Sequence, residues 1–318
     1  MAKLGETGRK GNSKGWQFLS FTLSPTNGNG GWSMTTKLTI PQLTQKKRDG
    51  ERLVMVAVGE VLTATWAERA GVDIVGVGDS LGMTLYGHEN TLAMTVDQMI
   101  EHTRAVRRGA PNTFCIVSMP YGSYATTDMA VENAVRMMKE SGADALKLQG
   151  GREKFDVIKA VADAGVPVMS HVGLLPHYVH KFGGFKMQGA TAEAAMEIID
   201  NARAIQEAGA IGLEIEAMPY LVGKAVDEAV DIFTFSIGAG AAGTCQLLNG
   251  YDLLGAFDSF KPKFAKRYAN LADIATKAFA DYAADVRAQA FPDDEHSYKM
   301  KSGESDRLAA MLAEKNSK

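Results

Sequence analysis

The chain has 318 residues, of which 46% are hydrophobic and 22% are charged, and these proportions exclude collagen-like, coiled-coil and intrinsically disordered proteins. The length suits one or two domains, and a single α/β barrel routinely uses about 250 residues or more. The formal net charge of −3 offers no basic surface for a phosphate backbone, so we expect no nucleic-acid partner.

The composition divides the chain into three segments. Residues 1–33 are rich in Gly, Ser, Asn and Lys and lack hydrophobic periodicity, which predicts a disordered N-terminal tail. Residues 34–299 are expected to form a single domain, and residues 300–318 a polar C-terminal tail that could be helical.

No apolar run reaches the roughly 18 residues of a membrane-spanning helix, so no membrane partner is expected. The two cysteines, Cys115 and Cys245, are too few for a disulfide framework and indicate a cytoplasmic protein.

From residue 53 onward, short apolar runs alternate with amphipathic stretches, which is the pattern of parallel strands joined by crossover helices. Eight such runs favour a closed barrel over an open sheet, so the predicted fold is an α/β protein, a (β/α)8 TIM barrel. Four of the intervening helices end at a glycine suited to a left-handed cap, namely Gly71, Gly142, Gly165 and Gly209. The runs span 53–59, 72–80, 113–120, 144–151, 166–173, 210–219, 231–240 and, more weakly, 251–257.

Polar side chains cluster at the carboxyl-terminal ends of these runs, which meet at one face of a parallel barrel. Lys147 interrupts an otherwise apolar run, and Glu214 and Glu216 alternate with apolar neighbours. Because an inward charge is costly without a partner or ligand, this face is predicted to hold a small-molecule site. The other polar residues at these ends are Asp79, Ser80, Ser118, Gln149, His171 and Ser236.

Three further patterns are less specific. Residues 238–243 fit G-x-G-x-x-G, but their place after the seventh run favours a barrel loop over a dinucleotide-binding turn. His171, His177 and His180 lack a nearby Cys or carboxylate at zinc-ligand spacing, and the last two are expected on an exposed loop. The basic run 261–267 could bind a phosphate or a polyglutamate tail, or could be a solvated loop.

Nine longer segments follow one another between about residues 40 and 299. They are VGVGDSLGMTLYGHENTL, HTRAVRRGAPN, YATTDMAVENA, LKLQGG, SHVGLLPH, FGGFKMQGA, SIGAG, KPKFAK and FPDDEHSY. Together they resemble the ketopantoate hydroxymethyltransferase family. The resemblance implies a barrel of the phosphoenolpyruvate/pyruvate superfamily, magnesium dependence, a 2-oxo acid substrate, 5,10-methylenetetrahydrofolate as the one-carbon donor, and a homodecamer.

The resemblance also implies roles for five residues. Asp79 in VGDS matches the magnesium-binding aspartate of the family, and Ser80 matches the neighbouring residue that holds the oxo acid. Lys147 in LKLQGG matches the substrate-binding lysine, and His171 in SHVG matches the histidine of the pocket. Glu216 in EIEAMP matches the proposed proton acceptor.

Two positions depart from the family pattern. Ser118 stands where the family has an aspartate, and Gln149 stands where it has a glutamate, so Asp79 is the one metal-site acid retained. Ser118 could still bind substrate, and both residues could offer neutral oxygens to a metal. Magnesium is normally anchored by carboxylates, so a weak, substrate-dependent magnesium site and a metal-free site both stay open.

The retained residues predict enolate chemistry with Glu216 as the base. Glu214 is the alternative base, because its spacing places it on the same strand face. The leading function is hydroxymethyl transfer from 5,10-methylenetetrahydrofolate to 3-methyl-2-oxobutanoate. The alternatives are a related protein that makes or breaks carbon–carbon bonds in another 2-oxo acid, and a non-catalytic ligand-binding barrel.

Overall fold

The computed structural model describes residues 37–317, so the predicted tail over residues 1–33 lies outside the described residues. Within residues 37–317, eight parallel strands pair in chain order, and the eighth pairs with the first to close a barrel. The predicted (β/α)8 barrel is therefore confirmed. Its strands are β1 (Leu53–Ala57), β2 (Ile74–Val77), β3 (Phe114–Ser118), β4 (Ala145–Lys147), β5 (Val168–Gly173), β6 (Gly212–Glu216), β7 (Phe233–Ile237) and β8 (Cys245–Asn249).

Twelve helices precede, connect or follow these strands in the described part of the chain. Thr95, Thr126 and Thr191 cap three of the longer ones, and each hydroxyl accepts a backbone N–H of the first turn. The helices are α1 (Ile40–Arg48), α2 (Val61–Arg69), α3 (Leu81–Thr84), α4 (Val96–Gly109), α5 (Thr127–Ser141), α6 (Phe155–Asp163), α7 (Val179–Phe182), α8 (Ala192–Glu207), α9 (Tyr220–Glu228), α10 (Gly250–Leu253), α11 (Leu271–Arg287) and α12 (Glu304–Asn316).

The glycine stops predicted after four helices are present in the structure. Gly71, Gly142, Gly165 and Gly209 all have positive φ, between 76° and 95°. Each lies at the turn that leads a surface helix back into the next strand, where a left-handed residue ends the helix. These local signals explain why the helix–strand alternation was readable from the sequence.

The hydrophobic core has two layers, one inside the barrel and one between the strands and the helices. Phe114, Phe233 and Phe235 fill the barrel interior with Cys245, while Cys115 points outward into the helix layer. Both thiols are buried, as expected of small hydrophobic side chains. Because these aromatic rings fill the inner part of the barrel, space for a ligand opens at the carboxyl end of the strands.

The eighth strand does not lie where the sequence predicts it. Residues 251–257 begin inside helix α10, and the strand is Cys245–Asn249 just before it. This strand is short and is interrupted by the exposed Gln246, so its apolar content is lower than that of the following run. The Asn249 side chain accepts the backbone N–H of Tyr251 and caps α10, a helix-start signal that the prediction overlooked.

The last two helices are not packed into the core. Neither α11 nor α12 contains a buried residue, and apolar side chains such as Ile274, Phe279 and Leu312 are exposed on them.

Among the described helices, none has the length and apolar character needed to cross a bilayer.

Candidate active site

A cavity of about 680 Å³ opens at the carboxyl-terminal end of the barrel. This is the face on which active sites of parallel barrels are built. His171 is fully buried beside Glu214 and Glu216, and Ser236 alternates with the inward-facing Phe235 and Ile237, so neither lines the cavity. The predicted residues that do line it are Asp79, Ser80, Ser118, Lys147, Gln149, Glu214 and Glu216.

Strand pairing brings the charged groups of the wall together. Ser118 and Lys147 are partners in the β3–β4 register. Glu214 and Glu216 are two residues apart on β6, so both point into the barrel. His171 on β5 is the register partner of Glu214. Five positions spread over about 100 residues of sequence thus meet near the carboxyl end of the barrel.

The end of β6 is held in an unusual backbone conformation. Gly173 has a φ of 93°, and a Cβ there would lie 2.2 Å from the carbonyl oxygen of Glu216, so a larger residue does not fit. Ala217 directly after Glu216 has a φ of 48°, which is uncommon for a residue with a side chain. Such strained positions persist where the surrounding structure fixes them, here beside a candidate catalytic carboxylate.

The two glutamates have different partners. Lys147 Nζ lies 2.5 Å from Glu214 Oε2, which makes a buried ion pair across the barrel. His171 Nε2 lies 3.1 Å from Glu216 Oε2, and its Nδ1 lies 3.8 Å from Glu214 Oε2. Glu214 therefore pairs with the ammonium group of Lys147, whereas Glu216 contacts the imidazole of His171.

These partners shift the two glutamate pKa values in opposite directions. Burial alone favours the neutral acid, but Lys147 and then His171 outweigh it and lower the pKa of Glu214. Burial dominates at Glu216 and raises its pKa, although the nearby His171 opposes the shift. Two carboxylates with separated pKa values on one wall are typical of acid–base catalysis.

His177 was expected on an exposed loop, and this prediction is wrong. The side chain is buried, and its Nε2 contacts the carboxylate of Asp79 while its Nδ1 lies 2.5 Å from the Tyr124 hydroxyl. A short helical turn over Pro176–Tyr178 directs His177 inward, whereas His180 is exposed as expected. The apolar residues around it in GLLPHYV were the available signal that this segment is buried.

The contact with His177 keeps Asp79 ionised. Burial of the Asp79 carboxyl favours its neutral form, but the charge and hydrogen bond of His177, with a contribution from Lys147, lower its pKa. Buried charges require such partners, because an unpaired one is strongly unfavourable.

Replacing His177 with leucine should therefore reduce the free energy of unfolding by about 3 kcal/mol, because Asp79 and Tyr124 lose their buried partner. The His180→Leu control changes an exposed imidazole and should stay within about 0.5 kcal/mol of the wild type. Urea denaturation at neutral pH measures both values. Equal effects of the two substitutions would contradict the assignment of His177 to the buried wall.

A (β/α)8 barrel that places buried carboxylates and an ammonium group at the carboxyl ends of its strands defines a barrel enzyme with a small-molecule site. The model of the family described as ketopantoate hydroxymethyltransferase matches residues 37–294. The chain belongs to this family.

Relatives that carry the name 3-methyl-2-oxobutanoate hydroxymethyltransferase match most of the chain. A protein of Methylibium petroleiphilum with this name is 50% identical over 82% of this chain and 89% of its own length. One from Alkaliphilus metalliredigens is 45% identical over 83% of this chain and 94% of its own length. One from Thermus thermophilus is 44% identical over 78% of this chain and 95% of its own length.

Solved structures with the same fold are more distant in sequence. Phosphonopyruvate hydrolase in complex with oxalate and Mg²⁺ has a TM-score of 0.54 at 15% identity, over 87% of this chain and 99% of that one. The 2,3-dimethylmalate lyase, a member of the PEP mutase/isocitrate lyase superfamily, has a TM-score of 0.52 at 15% identity, over 86% of this chain and 98% of that one. These neighbours show the fold.

The donors beside Asp79, however, do not fit Mg²⁺, an ion that takes oxygen ligands and is anchored by carboxylates. The neighbouring wall positions are the neutral Ser118 and Gln149, and the Gln149 amide oxygen already accepts the backbone N–H of His177 at 2.9 Å. His177 also engages Asp79, and the positive charge of Lys147 acts on the same carboxylate. A dication here would meet a single carboxylate that is already paired.

The second group of potential metal ligands is no better suited. Atoms of His171, Glu214 and Glu216 lie within 4.8 Å of one another. Lys147 already binds Glu214, and His171 faces Glu216. An added dication would have to displace the ammonium group, so this cluster is an ion-pair network in its own right.

Proposed function

We propose that this protein transfers a hydroxymethyl group from 5,10-methylenetetrahydrofolate to 3-methyl-2-oxobutanoate, giving ketopantoate for pantothenate biosynthesis. The observation that carries the proposal is Glu216, a carboxylate with a raised pKa that lines the same cavity as the ammonium of Lys147. Removing a weakly acidic proton beside a ketone requires a base and a nearby positive charge. The names of the relatives support the choice of substrate.

Glu216 is a better candidate for the base than Glu214. Its side chain is 14% exposed toward the cavity, against 4% for Glu214. The Glu214 carboxylate is paired with Lys147, and its lowered pKa makes it a weaker proton acceptor. Glu214 instead holds the lysine in place.

The proposed reaction has two bond-making stages. Glu216 takes the proton from the branched carbon, and the electrons of that C–H bond form an enolate whose oxygen is stabilised by Lys147. The enolate carbon then bonds to the folate methylene carbon, and both carbon–nitrogen bonds of that carbon break while one water molecule supplies its oxygen. The two protons of the water go to the two nitrogens of the released tetrahydrofolate, and the new alkoxide takes the proton held by Glu216 to become the hydroxyl of the product. The hydroxyls of Ser80 and Ser118 are available to orient the oxygens of the 2-oxo acid.

The mouth of the cavity supports a folate partner. Phe185, Phe260 and Phe264 line it with exposed rings suited to contact with a flat pteridine, and Lys263 lies among them. Lys263 belongs to the basic run whose role the sequence left open. A cation at this rim suits the carboxylates of a glutamate tail.

Lys263→Gln should raise the KM for polyglutamylated folate about fivefold and leave kcat unchanged, because an exposed ion pair contributes little more than about 1 kcal/mol. Lys301→Gln, an exposed lysine in the C-terminal segment, is the matched control and should leave KM unchanged. Steady-state assays with varied folate measure both. A fall in kcat in Lys263→Gln would argue against a role limited to the tail.

Proton NMR of 3-methyl-2-oxobutanoate in deuterated water tests the first step. We expect enzyme-dependent exchange at the branched carbon, and transfer when 5,10-methylenetetrahydrofolate is added. Exchange only with another 2-oxo acid would favour the related carbon–carbon bond chemistry, which the departures at Ser118 and Gln149 make the second candidate. No exchange with a panel of 2-oxo acids would favour a ligand-binding barrel.

Self-association and a cytoplasmic location complete the proposal. The exposed apolar side chains of α11, including Ile274, Phe279 and Tyr282, support an oligomer. The decamer implied by the family stays a prediction, as does the cytoplasmic location expected from the cysteine content.

A further inference from the structure

Gln149 presents an unused hydrogen-bond donor at the wall of the cavity. Its side chain is 1% exposed, and its amide nitrogen Nε2 has no partner in the described part of the chain. A buried amide without a partner is unfavourable by itself, and such a group is often one that a ligand completes.

The orientation of the amide follows from its neighbours. The backbone N–H of His177 lies 2.9 Å from Gln149 Oε1 and needs an acceptor, which assigns the oxygen to that side. The nitrogen is therefore the atom left for a ligand. At the position where the family has a carboxylate, this chain offers an N–H donor instead of an oxygen.

A hydrogen-bond chain holds this arrangement. The backbone N–H of Gln149 donates to the Tyr124 hydroxyl at 3.2 Å. That hydroxyl lies 2.5 Å from His177 Nδ1, and His177 Nε2 contacts Asp79. His177 thereby links the Tyr124 hydroxyl to Asp79 and occupies the carboxylate.

We propose that Gln149 Nε2 and Lys147 Nζ bind the carboxylate and oxo oxygens of the 2-oxo acid directly, so that this enzyme works without a divalent cation. The inference rests on the proposed function. Lys147 has three N–H bonds, and Glu214 takes one of them, so two stay available for the substrate. An ammonium and an amide replace the positive charge and geometry that a metal would supply.

Mn²⁺ binding to the full-length protein, freed of metal with EDTA, tests the inference without turnover. We expect no Mn²⁺ signal from a bound site by electron paramagnetic resonance, with or without 3-methyl-2-oxobutanoate. Proton exchange by the same protein should change less than twofold when Mg²⁺ is added. Stoichiometric Mn²⁺ binding, or exchange that depends on Mg²⁺, would overturn the inference.

Gln149→Glu tests the donor itself, because it keeps the shape and replaces the N–H group by a negative oxygen. We expect the KM for the 2-oxo acid to rise about tenfold to 100-fold in the absence of metal. Gln289→Glu makes the same change at an exposed residue and should have no effect. An unchanged KM in Gln149→Glu would remove Gln149 from the binding site. Absence of exchange in the wild type at every metal concentration would instead contradict the proposed function, while the Mn²⁺ result still decides the metal question.

Discussion

Replacing Glu216 with glutamine should lower kcat by about 100-fold to 10,000-fold, the contribution of a positioned general base. Glutamine keeps the size of the side chain and can still contact His171, so the cavity wall should stay folded. Single-turnover exchange of the branched-carbon proton in deuterated water measures the affected step directly. Near-normal exchange in this variant would show that Glu216 is not the general base.

Two further substitutions test whether the loss of kcat is specific to Glu216. Glu197→Gln changes an exposed glutamate on α8 and should leave kcat unchanged. Glu214→Gln removes the partner of Lys147, so it should raise the KM for the 2-oxo acid more than it lowers kcat. If Glu214→Gln instead abolished exchange while Glu216→Gln retained it, the roles of the two glutamates would be exchanged.

The raised pKa of Glu216 also predicts how pH acts on the enzyme. The base must be ionised, so kcat should fall as the pH drops through a pKa above the ordinary range of glutamate. Because the folded state holds this proton more tightly than the unfolded chain, the stability it contributes is lost as pH rises through that pKa. The Glu216→Gln protein should therefore gain stability relative to the wild type from acidic to neutral pH, measured by urea denaturation.

Introducing both missing acids, Ser118→Asp with Gln149→Glu, should create a divalent metal site that the wild type lacks. Two added carboxylates beside Asp79 supply the negative charge that Mg²⁺ requires, and we expect Mg²⁺ affinity to rise at least about 100-fold. Calorimetric titration measures the affinity. Without metal the double variant should lose exchange activity, because it lacks the N–H donor of Gln149 and carries extra negative charge.

The single variants are the controls for this experiment. One restored acid can pair with Lys147 instead of a metal, so each single substitution should gain much less affinity than the pair. Restored transfer in the metal-loaded double variant would mean that the metal-free site of the wild type and the metal site of the variant support the same mechanism. No gain in Mg²⁺ affinity would show that positions 118 and 149 do not face a common ligand.

The sequence alone determined the barrel and most of the cavity wall. The local signals are the strand and helix periodicity and the glycines that end helices, such as Gly71 and Gly142. They predict seven of the eight strands correctly. Since parallel strands end at one face, the positions of Lys147, Glu214 and Glu216 sufficed to predict a charged wall. The family resemblance added roles to these residues, which the spacing by itself could not assign.

Only the tertiary structure decided which of these groups are partners. Lys147 and Glu214 are 67 residues apart, and Asp79 and His177 are 98 residues apart. No local pattern indicates that Lys147 pairs with Glu214 and leaves Glu216 to His171, because both glutamates share one strand face. His177 was misassigned for the same reason. Its burial depends on a turn that brings it against Tyr124 and Asp79, and the free energy of that contact arises only once the barrel has closed.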